Sequence, residues 1–116
     1  MLTATCHCGA VRIDVPRKPR RLTNCNCSIC RRYGTLWAYY KASRVRLRGA
    51  TSSYSWGSKS LNFLRCRTCG CIMQWRMKRK RLDSRTGVNA RNFDPHEIAG
   101  VRIRRLDGAK TWKFLD

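Results

Sequence analysis

The chain has 116 residues and a formal net charge of +20, from 26 lysines and arginines against six acidic residues. Its 42% hydrophobic residues are enough for a modest core, which excludes a wholly disordered basic tail, and its length favours one domain, residues 1–116. No apolar run reaches about 18 residues, and residues 1–15 lack the pattern of a signal peptide. The sequence therefore predicts a cytoplasmic protein that does not span a membrane.

Alternation of apolar and polar residues predicts short, half-buried antiparallel strands along most of the chain. Alternation marks 11–15, 45–47, 73–77 and 101–103, and aromatic and β-branched residues add 36–40 and 61–64. Turn signals separate them at 16–19, 49, 57–58, 86–87, 94–95 and 107–108. Only 28–33 and 95–99 look helical, for a turn or two each. The pattern indicates an all-β domain of about seven or eight strands.

The eight cysteines fall into three groups. They are Cys6 and Cys8, then Cys25, Cys27 and Cys30, then Cys66, Cys69 and Cys71. In a reducing cytosol such clusters indicate metal ligands before disulfides. Structural zinc takes four tetrahedral ligands, and two short pairs far apart in sequence commonly supply them. The first pair together with Cys66 and Cys69 therefore predicts a closed zinc site, with Gly70 suited to the turn that follows.

The middle group differs because its three thiols lie on one short loop. Three thiolates leave a fourth position on a zinc ion open to water or substrate, which distinguishes catalytic from structural zinc. On spacing alone, a second closed site with Cys71 as fourth ligand is equally compatible and would indicate a zinc-binding module. Spacing also does not exclude an iron–sulfur cluster.

Several segments in order along the chain resemble the glutathione-dependent formaldehyde-activating enzyme family, which also includes centromere protein V. They are CHCGAVR at 6–12, CNCSICRR at 25–32, FLRCRTCG at 63–70, GVNAR at 87–91, LDGA at 106–109 and TWKF at 111–114. The resemblance implies a β-tent, in which two small antiparallel sheets join at a structural zinc, with one or two short helical turns.

The resemblance also implies two zinc ions per chain and divides the thiols between them. It assigns the structural zinc to Cys6, Cys8, Cys66 and Cys69, and the catalytic zinc to Cys25, Cys27 and Cys30. Cys71 lies outside the family pattern and is expected to be a free thiol. His7 is expected to be an exposed residue between two ligands, and Asn89 either lines the pocket or caps backbone groups.

The implied activity is that of a carbon–sulfur lyase resembling S-hydroxymethylglutathione synthase. In that reaction the glutathione thiol adds reversibly to formaldehyde or a related small carbonyl compound. The expected partner is a small anionic thiol such as glutathione, and Arg31 and Arg32 are the basic residues nearest in sequence to the three-cysteine loop. No feature predicts an oligomeric state.

Two alternatives belong to other classes of function, and the first of them rests on the net charge. Basic runs at 17–21 and 76–81 indicate non-specific nucleic-acid binding, although no helix-turn-helix, zinc-finger or RNA-recognition motif accompanies them. The second alternative is a structural zinc protein that binds a protein partner. Five aromatic residues are expected to form core or pocket wall rather than stacking platforms for bases. They are Trp37, Tyr39, Tyr40, Phe63 and Trp75.

Overall fold

Short strands make up most of the structure, a computed structural model that describes residues 1–56, 60–79 and 84–116. The strands are β1 (Leu2–Thr5), β2 (Arg12–Val15), β3 (Arg21–Cys25), β4 (Trp37–Lys41), β5 (Arg46–Arg48), β6 (Thr51–Tyr54), β7 (Leu61–Cys66), β8 (Ile72–Met77), β9 (Arg85–Asn89) and β10 (Arg102–Leu106). Helix α1 spans Ser28–Tyr33, and single 3-10 turns occupy Ala42–Arg44, Ala90–Asn92 and Pro95–Glu97. The all-β prediction and the two helical segments are confirmed, and no helix in the described ranges is long and apolar enough to cross a membrane.

The strands form two sheets, as the β-tent expectation requires. The smaller sheet has the order β1-β2-β5, and the larger has the order β10-β3-β4-β9-β8-β7-β6. One detail of the prediction is wrong, because β10 pairs with β3 in parallel while the other strand pairs are antiparallel. The long connection from β9 through two 3-10 turns brings β10 back beside β3 in the same direction, which a short hairpin cannot do.

The main core lies where the inner faces of the two sheets meet. Val11, Ile13 and Val15 are buried, so the predicted alternation along β2 is confirmed. Residues of β4, β8 and β9 pack against them, including Ala38 and Val88. The alternation predicted for β10 is wrong at Ile103, whose side chain is 47% exposed.

A second cluster of aromatic side chains lies around β4, β7 and β8. Trp37 and Phe63 are buried with ring centroids 6.2 Å apart, and the Tyr39 and Trp75 rings lie 6.0 Å apart. Gly87, predicted as part of a turn, is instead inside β9 directly opposite Trp75. A Cβ atom at this position would lie 2.1 Å from Trp75 Nε1. Only glycine therefore leaves room for the indole to pack against the backbone of β9. The turn predicted at 57–58 lies outside the described residues.

Candidate functional site

Four thiols meet where the N-terminal strand approaches the β7–β8 hairpin. Cys6 and Cys8 follow β1, Cys66 ends β7, and Cys69 lies in the turn before β8. Their Sγ atoms all lie within 4.8 Å of one another, with 3.6 Å between Cys6 and Cys8 and 3.6 Å between Cys8 and Cys66. Such spacing matches four thiolates around one tetrahedral zinc ion, whose Zn–S bonds are about 2.3 Å long.

Backbone groups complete the surroundings of this four-cysteine cluster. The Val11 N–H donates to Cys6 Sγ at 3.2 Å, and the Thr68 N–H donates to Cys66 Sγ at 3.4 Å. The Cys71 N–H lowers the pKa of Cys69 to about 5, and further hydrogen bonds act in the same direction. Gly70 has φ of +79°, as the sequence predicted for this turn. Hydrogen-bond donors aimed at sulfur favour thiolates, which is the form that binds metal.

Three further thiols meet at the end of β3 and the start of α1. Cys25 ends β3, Cys27 is the residue that caps α1, and Cys30 lies in the first turn of the helix. All three are buried, and their Sγ atoms lie within 4.8 Å of one another. Within the described residues, no fourth Cys, His, Asp or Glu belongs to this cluster. The structure therefore brings together the three thiols that the sequence placed on one loop.

Hydrogen bonds orient the sulfurs of the three-cysteine cluster. Trp37 Nε1 donates to Cys30 Sγ at 3.3 Å, and the Cys30 N–H lies 3.5 Å from Cys27 Sγ. The Cys30 thiol donates to Cys25, which lowers the pKa of Cys25 to about 6 and raises the pKa of Cys30. The N–H groups of Cys27 and Gly108 also lower the pKa of Cys25. The cluster therefore contains one thiol that ionises readily and donors that hold the others in place.

Cys71 lies beside the four-cysteine cluster and not at the three-cysteine cluster. Its partly exposed thiol is hydrogen-bonded to the Cys69 thiol and accepts from the His7 N–H. This position does not support Cys71 as the fourth ligand of the second site. The His7 side chain is exposed, as expected. Asn89 caps backbone groups, since its Oδ1 accepts from the Leu36 N–H at 3.3 Å.

The C-terminal loop closes over the three-cysteine cluster. Asn26 Nδ2 donates to Asp107 Oδ1 at 3.1 Å, and the Ala109 N–H donates to Asn26 Oδ1 at 2.9 Å. These bonds hold the buried Gly108 against the cluster. The sequence marked 107–108 only as a turn, and the contact of Gly108 with Cys25 joins residues too far apart in sequence for a pattern to reveal.

Comparison with known proteins agrees with this geometry. The family model described as glutathione-dependent formaldehyde-activating enzyme matches residues 1–103. The chain belongs to this family. The crystal structure of a protein from Rhodobacter sphaeroides, a structural genomics target, is similar with a TM-score of 0.71 and 32% identity, over 88% of this chain and 99% of that one. Both cysteine clusters of this formaldehyde-activating family member lie inside the matched residues.

Replacing Gly108 by alanine is expected to damage the three-cysteine cluster without unfolding the protein. The added Cβ would lie 2.5 Å from Cys25 Sγ and 3.2 Å from Cys27 Cβ, so a sulfur must move. We expect at least about a tenfold loss of metal affinity at this site, a typical cost of disturbing the surroundings of metal ligands. Competition with a chelator measures it, and Ala109→Ser, at an exposed neighbour, is the control. If Gly108→Ala and the control bind the metal equally well, Gly108 does not pack against the three-cysteine cluster.

Proposed function

We propose that this family member is a zinc-dependent carbon–sulfur lyase that joins a small anionic thiol, such as glutathione, to formaldehyde or a related small carbonyl compound. The observation that carries the proposal is the cluster of three buried thiols, which has no fourth protein ligand among the described residues. Membership of the formaldehyde-activating family supports the substrate class.

The proposal places one zinc ion in each cysteine cluster. Thiolate sets of this size suit zinc, and the sulfur spacing in both clusters fits it. The four-cysteine set leaves no position for a substrate, which suits a structural role. When bound to the three-cysteine set, zinc would supply one exchangeable position and would favour the thiolate form of a substrate thiol.

The protein's own residues prepare this site in three ways. Trp37 Nε1 and the backbone donors hold the sulfurs in one arrangement. The aromatic side chains around the cluster, including Phe63 and Trp37, exclude water from its inner side. The positive surface raises the local concentration of an anionic thiol, although Arg32 itself is turned back onto the helix through its bond to the Ser28 carbonyl at 2.7 Å.

The reaction needs no oxidant or reductant. The thiol sulfur forms a bond to the carbonyl carbon, the carbon–oxygen π bond breaks, and the proton from the thiol ends on the oxygen. The reverse reaction breaks the carbon–sulfur bond and returns both compounds. Because the adduct also forms spontaneously, the enzyme is expected to change the rate of exchange and not its equilibrium.

Exchange spectroscopy tests this proposal directly. Carbon-13-labelled formaldehyde and glutathione are equilibrated, and the rate of interconversion with the adduct is measured by NMR with and without zinc-loaded protein. We expect the protein to raise this rate by at least about tenfold, a small effect for an enzyme. A folded, zinc-loaded protein that leaves the rate unchanged would overturn the enzyme proposal and favour a structural zinc protein that binds a protein partner.

A further inference from the structure

A basic groove lies at one end of the large sheet, where β3 and β9 begin and β4 ends. Its volume is about 650 Å³. Six cationic side chains line it, and no acidic residue does. The six are Arg17, Arg20, Arg21, Lys41, Arg85 and Arg104. We call this cavity the basic groove.

No ion pair among the described residues includes a cation of the basic groove. The ion pairs in this part of the chain join Arg48 to Asp14, His96 to Asp94 and Arg105 to Asp116. Lys41 of β4 lies directly opposite Arg85 of β9 in the strand register. Like charges directly opposite each other destabilise a sheet, so an anion between them would remove a cost that the folded protein otherwise carries.

Two of the arginines are held in place by aromatic rings. The Arg104 guanidinium lies 3.8 Å from the centroid of the Phe114 ring, and the Arg85 guanidinium lies 5.5 Å from that of Tyr39. Arg104 Nη2 also donates to the Asp116 carbonyl oxygen at 3.1 Å, while its buried Nε has no hydrogen-bond partner. Guanidinium groups that are already held in place lose little conformational freedom when they bind an anionic ligand.

The same contacts indicate which chemical group the basic groove takes. Guanidinium groups already occupy a face of the Tyr39 and Phe114 rings, and the buried Tyr40 uses its hydroxyl to donate to the Arg17 carbonyl at 2.9 Å. Stacking of nucleic-acid bases on these rings is therefore disfavoured. Arginine forks instead match the oxygens of phosphate, and the cavity has the size of a small-ligand site.

We propose that the basic groove binds the phosphate groups of a small phosphorylated ligand. Thr23 and Tyr39 also line the groove, and Tyr39 packs against the cluster that contains Cys25. The volume of about 650 Å³ is in the range of small-ligand sites. The proposal does not depend on the lyase activity.

Calorimetric titration of the zinc-loaded protein with inorganic pyrophosphate tests the proposal. The groove variant is Arg20→Gln/Arg85→Gln. The matched control is Arg44→Gln/Arg46→Gln, which removes the same charge from two exposed arginines outside the groove. We expect the groove variant to bind at least about tenfold more weakly and the control to stay within about twofold of the wild type. Pyrophosphate should also raise the melting temperature of the wild type more than that of the groove variant.

Three results would overturn the proposal. Equal weakening in the two double variants would show attraction to net charge alone. Absence of pyrophosphate binding at low salt would show that the basic groove is not a phosphate-binding site. Tight binding of a single-stranded oligonucleotide that pyrophosphate does not displace would assign the groove to a nucleic-acid backbone instead. Circular dichroism and zinc content of each variant show that any loss reflects binding and not unfolding.

Discussion

Replacing Cys66 by serine is expected to leave the chain unfolded at neutral pH. Cys66 is 1% exposed, belongs to the main core, and contributes one of the four clustered thiols that connect β1 to the β7–β8 hairpin. A structural zinc site supplies about 10 kcal/mol or more of apparent binding free energy, and the net stability of a domain is only about 5–15 kcal/mol. Loss of the thermal unfolding transition and of bound zinc, measured by circular dichroism and metal analysis, is the expected result.

Cys71→Ser is the matched control for this prediction. Cys71 lies on the same hairpin, its thiol is partly exposed, and it is not one of the four clustered ligands. Its carbonyl, which accepts from the Cys66 N–H at 3.0 Å, is unchanged by the substitution. We expect this variant to fold, to bind zinc and to melt within a few degrees of the wild type. If Cys71→Ser unfolds and Cys66→Ser does not, the assignment of the four ligands is wrong.

Cys27→Ser is expected to fold and to lose activity, with the exchange rate of thiol and formaldehyde falling to the spontaneous rate. Serine is among the best helix-capping residues, so its oxygen can take over the bond from the Cys30 N–H that caps α1. A serine hydroxyl stays protonated at neutral pH and is a poor zinc ligand, so the second metal is lost while the four-cysteine cluster is intact. The NMR exchange assay and the melting temperature are measured on the same sample.

The two cysteine variants separate the roles of the two clusters. We expect Cys66→Ser to abolish folding and Cys27→Ser to abolish only the activity and the binding of the second zinc ion. Unfolding of both variants to the same extent would mean that both sites are structural. Full activity of Cys27→Ser would remove the three-cysteine cluster from the proposed reaction.

Local patterns were sufficient for the features that depend on neighbouring residues. Alternation predicted the buried side chains of β2, and the spacing of Cys25, Cys27 and Cys30 placed three thiols on one loop and helical turn. The pairing of Cys6 and Cys8 with a distant C-x-x-C pair also followed, because zinc requires four ligands and short pairs are incomplete alone.

Features that join distant segments could not be derived in this way. Glycine commonly interrupts strands, so the sequence predicts a turn at Gly87. The reason for a glycine inside β9 is the close approach of the Trp75 indole, which the sequence does not show. The parallel pairing of β10 depends on the path of a long connection. The basic groove combines side chains from the loop before β3, from four strands and from the segment after β10. The sequence therefore shows the positive charge but not that the cationic side chains gather in one groove.

Native mass spectrometry of protein purified without added chelator gives the number of zinc ions per chain, which decides whether the two clusters hold separate ions. We expect two zinc ions in the wild type and one in a folded Cys27→Ser variant. A single zinc ion in the wild type, or loss of both ions from the folded variant, would contradict the proposal that the four-cysteine cluster is a closed zinc site and the three-cysteine cluster an open one.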